Sequence, residues 1–413
     1  MVLVGDTGSY RVAHIKTQNH LRPGSRLYRA AASIGLSSTG ETILQPVAIL
    51  IFLFLAVLSP AANAAITNST LALIVNDNDP QSVAVAEYYQ KSRLIPDKNI
   101  IHLRFDHQTS SMSAATFNAL RETVEGAVAA DVQAYALTWT KPYKVGCMSI
   151  TSAFALGFDK AYCAQGCKPT KKVAYYGSSG GQPYRDFGIR PTMMLAGKNS
   201  FDVLQLIDRG VIADNSRPRG RAYLVSTSDK HRNVRAANYP AIASRMQALL
   251  DIEVVKANYI HDKADVLFYF TGLKRVPHVN SNTYLPGAVA DHLTSSGGAL
   301  FGDQQMSAIK WLEAGATGSY GTVSEPCNFP GKFPNPGVLM LSYMRGDTLI
   351  EAYWKSVSMP GQGLFIGEPL SSPFKGCRIK RNLDGILVFA NDWLSPNGQH
   401  ADSSCGLAQP KAK

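Results

Sequence analysis

The feature that most constrains this chain is an alternation that begins at Leu71. Leu71–Asn76 (LALIVN) is a short apolar run suited to a buried strand. The turn-rich stretch Asn76-Asp-Asn-Asp-Pro80 then opens a segment in which Val83, Ala86, Tyr89 and Leu94 recur at helical spacing. Asn99–Phe105 reads as a second strand, Ser113–Ala130 as a second amphipathic helix and Ala134–Trp139 as a third strand. Strands separated by helices pair in parallel, because a parallel partner needs a long crossover to return the chain. The expected class is therefore α/β, a three-layer sandwich with a mostly parallel sheet flanked by helices.

The rhythm breaks between residues 140 and 200. That stretch carries Cys147, Cys163, Cys167 and the run Gly177-Ser-Ser-Gly-Gly181, and reads as a disulfide-pinned insertion. The alternation then returns. Phe201–Asp208 reads as helix, Arg221–Thr227 as strand, Ala237–Val254 as helix and Asp265–Thr271 (DVLFYFT) as strand. Helices are expected near Gly287–Thr294 and Gln304–Ala314, a glycine-rich strand over Ala316–Val323, a helix over Thr348–Val357 and a short strand at Gly363–Ile366. From Arg378 the tail holds one strand-like run, GILVFA.

The N-terminus belongs to a different process. Val47–Leu58 is an apolar run of 12 residues followed by Ala62-Asn63-Ala64. A bilayer-spanning helix needs roughly 20 such residues. A shorter core ending in a small-x-small site is the pattern of a secretory signal peptide, with cleavage near Ala64. The stretch ahead of it is long, and its nearest positive charge is Arg29. The organisation expected is an extension and signal over 1–64, an α/β domain over 65–378 with its insertion at about 140–200, and a tail over 379–413. An exported chain meets an oxidising compartment, so its six cysteines favour disulfides. Cys163 and Cys167 are also close enough in sequence to bind a metal together.

Residues 65–413 carry 36 Lys/Arg against 28 Asp/Glu, a scattered excess with no basic block interleaved with aromatics. Nucleic acid is not an expected partner. A peptide, protein or glycan is, and the membrane is met only through the signal segment. No phosphate-binding glycine loop, no G-x-S-x-G elbow and no H-E-x-x-H occurs, so no cofactor or metal is expected.

Reactive residues concentrate after the strand 265–271. Gly272 and His278 follow it, then Ser295-Ser296-Gly297-Gly298, and later Glu325 and Cys327. A nucleophilic site needs a hydroxyl or thiol, a base and N–H groups for an oxyanion. His278 can be the base, Ser295 or Ser296 the hydroxyl, and Gly297-Gly298 the donors. Cys327 is an alternative thiol, with Glu325 orienting the base. The bland readings are a helix C-terminal turn with glycines at positive φ, a disulfide at Cys327 and a loop histidine. A second set, Asp77, Asp79 and Asp229-Lys-His231-Arg232, lies just past strands and reads as cation ligands or helix caps, with Asp79 capping the helix after Pro80.

Some longer stretches carry a resemblance. Val75-Asn76, Glu87-Tyr-Tyr89, Arg93-Leu-Ile-Pro96, the run Trp311–Pro326, Lys332-Phe-Pro334, Gly346–Trp354 and Gly367-Glu-Pro-Leu370 resemble an uncharacterised family of exported bacterial proteins with no assigned activity. More remotely, the order of elements is similar to gingipain-type cysteine peptidases of the caspase-like fold. There a strand leads to a Gly-His-Gly histidine, the next strand leads to the cysteine, and a Gly-Asp-Pro signature comes later. Gly272–His278 stands at the first place and Gly367-Glu368-Pro369 at the last. His278 is flanked by Pro277 and Val279, Thr294–Ser296 holds no cysteine, and Cys327 lies beyond the glycine-rich strand. The resemblance thus implies a caspase-like sheet whose peptidase machinery is lost or altered.

Overall fold

A computed structural model describes residues 66–164, 167–390 and Cys405. The apolar run at 47–58 and the cleavage site expected near Ala64 lie outside the described residues. Ten strands form one sheet: β1 (Leu71–Asn76), β2 (Ile100–Leu103), β3 (Ala134–Leu137), β4 (Thr192–Met194), β5 (Arg221–Ser226), β6 (Asp251–Lys256), β7 (Val266–Thr271), β8 (Tyr284–His292), β9 (Gly318–Thr322) and β10 (Gly363–Gly367). Their order is β2-β1-β3-β4-β10-β9-β8-β7-β5-β6. The first four pair in parallel as one block. The last five do so as another. β10 joins them, antiparallel to β9 and bridged to β4 at the single pair Ile366–Met194.

Helices cover both faces. They include α1 (Pro80–Arg93), α2 (Ala114–Ala127), α3 (Ile150–Leu156), α4 (Ser200–Ala213), α5 (Tyr239–Met246), α6 (Pro336–Met344) and α7 (Leu349–Ser356). Alternation along β1 divides the core. Leu71, Leu73 and Val75 pack with Val85 and Tyr89 of α1 and with Leu339 and Tyr353 of α6 and α7. Ala72 and Ile74 face Phe117 of α2 and Phe154 of α3 on the other side. The molecule is the expected three-layer α/β sandwich with a large, mostly parallel sheet. Asp79 caps α1 as read from sequence, its carboxylate accepting the Gln81 N–H at 3.0 Å ahead of Pro80.

Several elements differ from expectation. The helix expected at Gly287–Thr294 is the last part of strand β8. This strand is covered on both faces, so its residues show no period of two, and a short buried run does not declare its type. The helix expected over Ala237–Val254 stops at Met246, and Asp251–Lys256 turns into edge strand β6. The helix expected at Gln304–Ala314 is only Ile309–Glu313. The segment 140–200 is no simple excursion, since its residues Thr192–Met194 form β4 inside the sheet. In the tail, Ile379–Arg381 and Leu387–Phe389 pair as a small antiparallel hairpin.

The six cysteines form three disulfides, Cys147–Cys163, Cys167–Cys327 and Cys377–Cys405. Such bonds persist in oxidising, exported environments. Cys163 and Cys167 therefore do not act as a metal pair; each holds a different partner. Among the described residues, no helix is long and apolar enough to cross a membrane.

Candidate functional site

The loops leaving β5, β7, β8 and β9 meet in one polar cluster. Beyond β5, Asp229 holds Arg232, with Nη1 2.9 Å from Oδ2. Burial alone would raise the Asp229 carboxyl, but hydrogen bonds and charge from Arg232 hold it below its ordinary value. Arg232 Nε donates to Thr294 Oγ1 at 3.1 Å. Thr294 in turn donates to Gln305 Oε1 at 2.6 Å, and the Ser296 N–H reaches the same oxygen at 2.9 Å. From β9, the Thr322 hydroxyl lies 3.2 Å from the Thr294 carbonyl and 3.0 Å from that of Ser295. Two groups treated separately in the sequence, Asp229–Arg232 and Thr294–Ser296, are thus one assembly. Ser295 and Ser296 are half-buried at its rim, and among the described residues neither hydroxyl makes a hydrogen bond.

The glycines have a backbone role. A Cβ on Gly298 would stand 2.5 Å from the Gly321 carbonyl oxygen, and one on Gly321 would stand 2.3 Å from the Gly297 carbonyl carbon. Gly297 and Gly298 lack the positive φ of a helix C-terminal turn. What they provide is close contact between the loop and β9, sealed by Gly298 N–H to Thr322 O at 2.9 Å. Gly272 does the same between β7 and the β5 loop, where a Cβ would come 1.8 Å from the Arg232 carbonyl oxygen.

Beneath this rim lies a buried ion pair that sequence reading did not find. Arg235 Nη2 is 2.6 Å from Asp291 Oδ1, and both side chains are almost fully enclosed. Arg235 donates to the Thr271 carbonyl at 2.6 Å and the Pro334 carbonyl at 3.2 Å, and with its charge on Asp291 one guanidinium fastens β7, β8 and the loop after β9. Burial pushes the Asp291 carboxyl up while Arg235 opposes the shift. On the opposite face of β8, His292 accepts from Trp311 Nε1 at 2.9 Å and lies 3.1 Å from the Met306 carbonyl. Burial lowers its pKa to about 3, leaving a neutral imidazole with both nitrogens engaged. The sequence signal available for this pair was the dipeptide Asp291-His292 itself, hidden by the helix reading of the segment.

The remaining candidates are not brought together. His278, in a left-handed conformation with φ 56°, is exposed. Its ring lies 4.8 Å from that of Tyr259 and 6.2 Å from that of His261, in the neighbouring loop before β7. Its carbonyl accepts from Ser281 and Asn282. Among the described residues, no hydrogen bond or ring contact joins His278 to Ser295, Ser296 or Cys327. Cys327 is bonded to Cys167 and so has no thiol to offer. Glu325 does not orient a base; its Oε1 accepts the Cys327 N–H at 2.7 Å and steadies a turn in which Cys327 has φ 53°. Lys332, in the same loop, is fully buried with Nζ 5.2 Å from the Phe329 ring centre. Burial lowers its pKa, and the Glu325 charge works the other way.

Chemically, the cluster presents a fixed guanidinium, two unengaged hydroxyls and an amide over a rigid floor. That set can hydrogen-bond carboxylates, peptide carbonyls or sugar hydroxyls. No protein-family model, no curated protein and no solved structure matches the chain.

Proposed function

We propose that this is an exported envelope protein that binds a peptide, protein or glycan at the Arg232–Ser296 rim, on the frame of a divergent, non-hydrolytic relative of caspase-like peptidases. The observation that carries the reading is Arg232, braced by Asp229 and Thr294 beside the unengaged Ser295 and Ser296 hydroxyls. Bracing a long side chain in advance lowers the ordering cost of binding. The non-hydrolytic part is supported by the positive commitments of the other groups. Cys327 is held in a disulfide, the His278 ring makes a tilted contact with Tyr259, and His292 is closed by Trp311 and Met306.

The test has two arms. Peptide and glycan arrays probed with the protein should give ligands whose binding falls at least about tenfold in Arg232→Ala, the loss of one charge-assisted contact. Turnover of peptide and ester pools should be absent. Turnover that disappears in Ser295→Ala or Ser296→Ala would overturn the non-hydrolytic reading in favour of a serine hydrolase.

A further inference from the structure

The segment between β3 and β4 carries a second surface, independent of the rim. Two of its stretches, 159–163 and 167–176, lie side by side, since the Lys171 N–H donates to the Ala161 carbonyl at 3.0 Å. They are fastened at several points. Cys163 is bonded to Cys147 and Cys167 to Cys327. Val173 N–H reaches Ser358 O at 3.0 Å, and Gly177 N–H reaches Lys355 O at 2.9 Å. Val173 and Tyr175 are buried as anchors. On this fixed strip Lys160, Lys168, Lys171 and Lys172 are all exposed. The strip itself offers one carboxylate, Asp159, which lies 3.7 Å from Lys171 Nζ.

We propose that this strip is a docking surface for a membrane face rich in anionic phosphate headgroups. Four ammonium groups against one carboxylate make a local positive field, which attracts such a surface by an amount that adds with each lysine. The backbone and disulfide anchors hold the strip in one shape, so docking orders only side chains. Tyr176 distinguishes a membrane from a soluble polyanion. It is 37% exposed at the end of the strip, and an amphipathic ring there belongs at headgroup level.

The experiment is cosedimentation of the full chain with phosphatidylglycerol–phosphatidylcholine vesicles and with pure phosphatidylcholine vesicles. Binding to the neutral vesicles measures the apolar contribution, and the ratio of the two isolates charge. Each Lys→Gln change on the strip should lower that ratio about fivefold, and all four together by at least a hundredfold, on the order of the known effect per basic residue. A control with Lys91, Lys256, Lys274 and Lys375 changed to Gln loses the same net charge and should retain most of the ratio. Tyr176→Ser should weaken vesicle binding and leave binding to soluble polyphosphate unchanged. Equal losses in the strip variant and the control would overturn the proposal, because net charge alone would then explain the binding. Polyphosphate bound as tightly as vesicles, with no effect of Tyr176→Ser, would overturn the membrane as partner.

Discussion

The loops that leave the neighbouring parallel strands β7 and β8 carry similar residues in opposite circumstances. The loop after β7 lays His278 open to solvent, in tilted contact with the Tyr259 ring and with its backbone in a left-handed turn. The loop after β8 starts from Asp291 and His292, both buried, and continues into a backbone locked against β9 at Gly298 and Gly321. In the first, the reactive group is accessible, and its ring contacts are with Tyr259 and His261. In the second, Asp291 and His292 both have partners but are closed off from solvent. Accessibility and organisation coincide where Arg232, from the loop after β5, touches Thr294. A histidine in a loop is therefore no index of a site until its neighbours are known.

The comparison is broken most forcefully at Arg235. Arg235→Ala leaves the Asp291 carboxylate buried without its cation and releases the Thr271 and Pro334 carbonyls. Losing one member of a buried pair costs about 3–5 kcal/mol. Urea unfolding should show a loss of that size. A loss below about 1 kcal/mol would mean that the loop after β8 is held no more firmly than the loop after β7.

How much of this could be read from the chain depends on how local its cause is. β1 and β7 were legible because each is a compact apolar run bounded by turn residues, Asn76-Asp-Asn-Asp-Pro80 for the first and Asp265 and Gly272 for the second. The cap at Asp79 was legible because it acts on Gln81, two residues away. β8 was not, since YLPGAVADH owes its extended form to partners on both sides rather than to its own pattern. Arg235 and Asp291 are paired only because the sheet sets β5 and β8 on either side of β7. Glycines 297 and 298 stand out in the sequence as possible oxyanion donors, whereas the close approach they permit is to Gly321, a contact made across strands. The strand and turn chemistry is written locally, and the site is written in the sheet order.

The next effect in size comes from His292. Its pKa is about 3 in the fold against 6.5 for the free side chain, because burial penalises the imidazolium. Between these values the unfolded chain takes up a proton that the folded chain refuses. Stability present above about pH 6.5 is therefore lost as pH falls toward 3, at about 1.4 kcal/mol per unit. Asp291 acts in the opposite sense, since burial raises its folded pKa and its contribution declines as pH rises above 3.8. Comparison with His292→Gln removes that background. Between pH 7 and pH 5 the native chain should lose about 2 kcal/mol more than the variant in urea unfolding. Equal slopes would show that the buried imidazole is not held neutral, and the contrast with His278 would lose its electrostatic basis.

The smallest effect is expected at His278, and it sharpens the contrast from the open side. The exposed ring contributes tilted contacts with Tyr259 and His261, and their loss should cost no more than about 0.5 kcal/mol. The backbone has its own demand, because φ of 56° suits glycine better than alanine. His278→Gly relieves that strain while loosening the unfolded chain, so it should match or slightly exceed His278→Ala in thermal stability. The order of the two variants separates backbone from side chain. If both lose more than about 2 kcal/mol, or if either abolishes a turnover that the native chain displays, then His278 works through contacts that its exposed setting does not provide. The two loops would then differ in solvent exposure but not in role.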